Sequence, residues 1–221
     1  MSPPSRAAPL HNFQQFYDFT RGITAGLALA AMALATPLPA SAAEVCVIIH
    51  VAGTAEVSAR GAGRHEAAPG LGLGRNAHLR TGPDARVSMT CPDGLEVIVG
   101  PDSTFAVSGV LDGATQQPFG LRLMEGIAGF LFDRAGGDGV QVRTPSAVAA
   151  VRSTEWTVQA EDGASAFFTR EGRIFVAAGD DGLWLDAGEG VDVSADGEIG
   201  PALRWGQPRI DRQAELLGPG W

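Results

Sequence analysis

Lysine is missing from this chain altogether. All 16 basic side chains are arginines, and 25 carboxylates outnumber them, giving a formal net charge of −9. So acidic a chain repels phosphate backbones, which sets nucleic acid aside as a partner. Long apolar runs are missing too. The best one, I-T-A-G-L-A-L-A-A-M-A-L-A from Ile23 to Ala35, falls short of the roughly 20 residues that a bilayer-spanning helix needs. Histidines His50, His65 and His78 show no ligand spacing, and no cysteine or acidic cluster completes a tetrahedral metal site with them. His50 and His78 are expected as half-buried strand residues. There is no G-x-S-x-G nucleophile elbow. Ser153 and Thr154 have no base indicated nearby, and Glu155 and Glu161 read as surface carboxylates. The Asp-Gly pairs lack the alternating oxygen-ligand spacing of a calcium loop and read as turns. These absences point away from an enzyme and imply no cofactor or metal.

The first 42 residues are built differently from the rest. Arg6 and Arg21 precede the apolar run, Pro37 and Pro39 break it, and Ala40-Ser41-Ala42 forms an A-x-A cleavage pattern. Together they are expected to form a secretory signal peptide over residues 1–42. A retained leader would instead anchor the protein in the inner membrane, facing the periplasm. Export would carry Cys46 and Cys91 into an oxidising compartment, where they can form a disulfide. Two separately buried thiols are the alternative.

From Val45 onward, glycine, aspartate and proline punctuate short β-prone runs, consistent with 30 Gly and 14 Pro in the chain. Strands are expected at 45–51, 55–59, 86–91, 95–99, 104–107, 121–124, 130–132, 140–143, 148–151, 155–159, 166–169, 173–177, 183–185 and 191–193. Segments 61–74 and 112–118 read as loops. No amphipathic helix is visible between Val45 and Ser194. The one helix expected is Ile210–Leu217, after Pro208, with Ile210, Ala214 and Leu217 on one face. It is expected to cap the open end of the β-structure. The domain plan is a leader at 1–42, a β domain at 43–200, and a C-terminal tail at 201–221 carrying that short capping helix.

Two features suggest how the strands are arranged. Glu125-Gly126 and Glu171-Gly172 each interrupt a strand that then continues. In T-P-S-A-V-A-A-V-R-S-T-E-W-T-V, from Thr144 to Val158, the apolar parity slips between Val151 and Thr154. Successive strand side chains point to opposite faces. Both flanks can face inward only if the chain turns a corner at Arg152-Ser153. Thr154 would then offer its hydroxyl to freed backbone groups, Trp156 would fill the interior, and Thr144-Pro145 would make the preceding corner. Repeated units of this kind favour an all-β, β-solenoid-like stack of short strands over a sandwich or small barrel.

The same stretch resembles the core motif of the FecR-type periplasmic domain, carried here by Thr144, Pro145, Val151, Arg152, Ser153, Thr154 and Trp156. The family pattern has Gly where Ser153 stands. The resemblance extends upstream through Gly53-Thr54-Ala55-Glu56-Val57, 74–82, 84–89 and 93–97, and downstream through 170–174 and 186–190. It implies a β-solenoid-like fold and a non-catalytic role in envelope signalling through a protein partner. Only 22 residues precede Ile23, so the expectation is a single exported domain without an anti-sigma segment. Trp184 and Trp205 are candidate contact residues, since aromatics are enriched at interfaces. Trp184 should be exposed if Leu183 and Leu185 face the core; the alternative packs it under the C-terminal segment. A scaffold bound to polysaccharide or peptidoglycan is the competing role.

Expressed with its own leader, the protein should have an intact mass that starts near Ala43 and rises by about two hydrogens on reduction. A full-length mass in the membrane fraction would instead establish an anchored protein.

Overall fold

The computed structural model describes residues 44–59, 63–108, 119–132, 139–151, 154–219 and 221. The expected leader, the 112–118 loop and the corner residues Arg152 and Ser153 lie outside them. Among the described residues, seventeen strands and one α-helix follow in chain order. They are β1 (Glu44–Ala52), β2 (Ala55–Ser58), β3 (Arg64–Glu66), β4 (Gly72–Gly74), β5 (Ala77–Thr81), β6 (Arg86–Thr90), β7 (Glu96–Val99), β8 (Thr104–Ser108) and β9 (Phe119–Leu131). Then come β10 (Val140–Arg143), β11 (Val148–Val151), β12 (Glu155–Glu161), β13 (Ala164–Glu171), β14 (Arg173–Ala178), β15 (Asp181–Asp186), β16 (Glu189–Val193), β17 (Leu203–Arg204) and α1 (Gln207–Leu217).

Two ladders share the long strand β9. The first, face A, runs β4-β1-β6-β7-β9-β12-β13-β16-β17. The second, face B, runs β3-β2-β5-β8-β9-β10-β11-β14-β15. Strand β9 lends its residues 120–125 to face B and 126–131 to face A. The sheet is unclosed, ending at β3 and β4 on one side and at β15 and β17 on the other.

Alternation along each strand sends one set of side chains between the faces. Val87, Val97, Phe130 and Val158 from face A meet Leu79, Phe105, Leu123 and Val176 from face B in one continuous core, all fully buried. Trp156 lies opposite Phe130 across the β9–β12 ladder, and the two rings stack with centroids 4.4 Å apart.

The chain changes face at corners. Gly53 separates β1 from β2, Gly172 separates β13 from β14, and Gly188 separates β15 from β16. Gly126 bends β9 itself, with φ at 92°. That left-handed conformation favours glycine. A Cβ added there would also come within 2.6 Å of the Ser103 backbone. Both Glu-Gly breaks read from the sequence are therefore corners, and 121–124 and 130–132 belong to one bent strand.

Corners leave backbone groups without ladder partners, and buried hydroxyls take them up. The Thr81 hydroxyl donates to Gly100 O (2.7 Å) and accepts from Ser103 N–H (2.9 Å). The Ser103 hydroxyl donates to Pro101 O (2.8 Å) and accepts from Ile127 N–H (3.0 Å).

Several expectations need correction. Winding in one direction, as in a solenoid, would give parallel neighbours. Here every described strand pair is antiparallel except β9–β10, so the chain folds back and forth between corners. Thr144-Pro145 is not a corner between faces. It opens the tight turn of the β10–β11 hairpin, closed by Thr144 N–H to Ala147 O at 2.9 Å and Ala147 N–H to the Thr144 hydroxyl at 3.0 Å. The 61–74 loop contains two short strands, β3 and β4, held by edges that the sequence pattern does not reveal. Strands β5 and β17 were also absent from the expected set. The helix begins at Gln207, with Pro208 inside its first turn, where its missing N–H costs nothing.

Cys46 and Cys91 are bridged, closing a separation of 45 residues between β1 and the segment after β6. A loop of that size is worth about 4 kcal/mol through the entropy it removes from the unfolded chain.

Replacing Ser103 by Ala strands a buried Ile127 N–H. It should lower the unfolding free energy by about 1–3 kcal/mol in urea titrations. A loss below about 0.5 kcal/mol, the scale of ordinary surface substitutions, would show that the corner does not depend on the hydroxyl.

Candidate interaction surface

Among the described residues the core between the faces is built mainly of apolar side chains, so the outer faces are the candidate functional surface. His50, His65 and His78 stand exposed on β1, β3 and β5; His50 and His78 are thus more exposed than expected. Among the described residues, no group of three or more His, Cys, Asp or Glu side chains converges to hold a metal ion.

The described motif residues fall in two places, Thr144 and Pro145 at the β10–β11 turn and Val151, Thr154 and Trp156 on either side of the passage from β11 to β12. Ala147, just before β11, is buried with Ala149 and Val151 of that strand, and Thr154, just before β12, is buried with Trp156 and Val158 of that strand. The parity slip thus coincides with the passage from face B to face A. The Thr154 hydroxyl was expected to bond freed backbone, yet it has no hydrogen-bond partner among the described residues. The Trp156 indole N–H likewise lacks one. Thr144 lies in a polar cluster instead, with its hydroxyl 2.8 Å from the Ser165 hydroxyl, which in turn lies 2.7 Å from that of Ser146.

Face A is covered over much of its width by the C-terminal tail. Strand β17 extends the ladder beside β16, and α1 then crosses the strands in turn. Trp205 stacks on Phe168 of β13, with ring centroids 5.1 Å apart. The Arg209 guanidinium lies 3.5 Å over the indole and forms a two-pronged ion pair with Asp192 of β16. The Gln213 amide oxygen accepts from the Thr157 hydroxyl at 2.6 Å, with both side chains buried. Leu217 packs on Ile98 and Ile127. Arg86 of β6 donates to the carbonyls of Leu216 (2.7 Å) and Glu215 (2.8 Å), satisfying the end of the helix. The helix is therefore a strap over a sheet face, not a cap over an open end. Its seat is prepared by glycine. A Cβ at Gly129 would come within 2.6 Å of the Trp221 ring, and one at Gly190 would collide with Trp205. Glycine inside a strand signals a close backbone approach, so the strap was in principle legible from these two positions.

Trp205 is therefore an internal packing residue, half-buried, and not a free contact point. Trp184 is the opposite case. On β15 it is 52% exposed, while Leu185 is fully buried and Leu183 partly so. It lies on the outer side of face B, opposite Phe175 of β14, with ring centroids 5.1 Å apart. Arg173 reaches over it at 4.8 Å and pairs with Asp186 at 3.0 Å. That pair is largely exposed and worth little to stability. The aromatic pair therefore lies open on a face that no described element covers.

A shallow groove beside the strap holds Glu161, Asp162, Asp192 and Glu198, with Arg209 as its cation. Near it the Ser194 hydroxyl donates to the Asp196 carboxylate and holds its pKa below the ordinary value. Among the described residues, no helix is long and apolar enough to cross a membrane.

With this geometry established, comparison with known proteins is informative. Residues 77–175 match the family model described as FecR protein. Two crystal structures of a Parabacteroides distasonis protein, assigned as a candidate anti-sigma factor, superpose with TM-scores of 0.52 and 0.51 at 22% and 23% identity. Each match covers 61% of this chain and 62% of that one, so the chain spans less than two thirds of its neighbour's length. At that identity the likeness is one of fold. No curated protein matches the chain.

Replacing Gly129 by Leu should unseat Trp221 and Leu217 while the two faces remain paired. Amides of 207–221 should then exchange faster with deuterium, and those of β9 and β12 should keep their protection. Unchanged exchange in the tail would show that the glycine is not its seat.

Proposed function

We propose that this chain, whose residues 77–175 match the FecR family model, is an exported, non-enzymatic module that binds a protein partner in the bacterial cell envelope and takes part in signalling there. The observation that carries this reading is the asymmetry of the two faces. One is covered over much of its width by the protein's own tail. The other presents Trp184 to solvent, with half-buried Phe175 beside it, on a disulfide-tied β framework. Exposed aromatics on a preorganised surface are characteristic of binding hot spots. The disulfide supports export, because such bonds persist in oxidising compartments. A periplasmic location follows if the leader at 1–42 is cleaved, and inner-membrane anchoring if it is kept. The neighbouring fold of a candidate anti-sigma factor supports a regulatory role. No sigma-factor contact is assigned to this chain.

A cell-wall scaffold is the second reading. Trp184 with Arg173 and Asp186 beside it places an open ring among polar groups, an arrangement that also suits sugar.

Crosslinking in intact cells, followed by capture of the full-length protein, distinguishes the two. A defined envelope protein should be recovered with the native chain, and Trp184→Ala should cut its recovery about tenfold or more, the scale of an interface hot spot, without changing the unfolding midpoint. Retention on purified cell wall, lost in the same variant, would replace the signalling role with the scaffold.

A further inference from the structure

The outer side of face B carries a second feature beyond its aromatic pair. Strand register places His78, Ala106, Arg122 and Arg143 in one row across β5, β8, β9 and β10. The row continues through Val148 and Ala177. The adjacent row holds Gln141, Ala150, Phe175 and Trp184. No carboxylate occurs in either row.

Arg122 and Arg143 are the telling pair. They are directly opposite each other in the one parallel ladder among the described strands, and both are exposed. Among the described residues neither forms an ion pair; Arg143 reaches only the Gln141 amide oxygen, at 2.8 Å. Like charges directly opposite across a sheet destabilise it. In a chain with net charge −9, two arginines facing each other with no carboxylate paired to them among the described residues are a local excess of positive charge.

Resting on the protein-binding reading above, we infer that the partner contributes an acidic segment, whose carboxylates take the Arg122–Arg143 pair and whose apolar side chain packs on Phe175 and Trp184. Guanidinium forks bind carboxylates in two-pronged fashion. Arg122 and Trp184 are separated by four strand spacings, roughly 19 Å, which an extended segment of about six residues spans. The positive region is bounded. Glu56 and Glu66 stand on β2 and β3, and Asp181 and Asp186 on β15. An extended polyanion or a charged membrane plane would meet those carboxylates unfavourably. A short acidic segment fits between them.

Fluorescence anisotropy on the full chain tests this. The probes are a labelled peptide of alternating glutamate and leucine, its lysine counterpart, polygalacturonate, and vesicles containing phosphatidylglycerol. The acidic peptide should bind, weaken with added salt, and lose about tenfold or more in affinity in the Arg122→Glu, Arg143→Glu double variant. The single variant Arg122→Glu gives Arg143 a partner, so it should raise the unfolding midpoint while lowering binding. A merely structural role would not separate those two readouts. If a glutamate variant fails to fold, Arg122→Gln with Arg143→Gln replaces it, with loss of binding again expected. Equal binding of the lysine peptide would overturn the inference. So would preference for polygalacturonate or vesicles over the acidic peptide. If the double variant keeps its cellular partner while Trp184→Ala loses it, the acidic-segment inference fails and protein binding stands. If neither variant loses the partner, both fail.

Discussion

The fold rests on what happens to backbone groups at its corners. A chain that passes repeatedly between two faces must break its ladder at each passage. An unpaired buried N–H or C=O there costs about as much as a lost hydrogen bond. Thr81 and Ser103 meet that demand with their hydroxyls, and Gly126 lets the longest strand bend where any Cβ would strike Ser103. Because β9 bends there, it belongs to both ladders, and the two faces are held to one core.

Once the core is closed, the two outer faces are treated differently. Face A is finished by the tail, which is held by Arg86 at the helix end, the Gln213–Thr157 bond, and glycines that remove the steric obstacles beneath Leu217, Trp205 and Trp221. Face B receives no such cover from any described element. It keeps an exposed tryptophan and two opposed, exposed arginines that form no ion pair among the described residues. One face is thus covered over much of its width by the chain's own tail, and the other is left open among the described residues.

Much of this was legible beforehand. Alternating short strands, the helix near the C-terminus, the two Glu-Gly breaks and the parity slip at 152–154 follow from local periodicity and turn chemistry. The FecR resemblance followed from residue order alone, whereas residue order left Trp184 either exposed or packed under the C-terminal segment. Strand direction was not legible. Thr144-Pro145 suits a corner between faces as well as a hairpin turn, and the choice was made by the hydrogen bonds between Thr144 and Ala147 and by pairing with β9 and β14. Nor were β3 and β4, whose few residues pair only because β1 and β2 offer them edges. The strap was mistaken for an end cap because amphipathicity reports which side of a helix is apolar, not which surface it meets.

Composition and local pattern were sufficient to determine that this is a β-rich chain with regular corners, no lysine, and two cysteines able to pair. These properties depend on residues close in sequence and on side-chain chemistry that does not change with context. Tertiary structure alone decided that the strands run antiparallel, that Trp205 is packed while Trp184 is open, and that Arg122 meets Arg143. Each of those outcomes depends on which distant strands become neighbours. Register across a sheet is set by the joint burial of both partners, a quantity that no single segment carries.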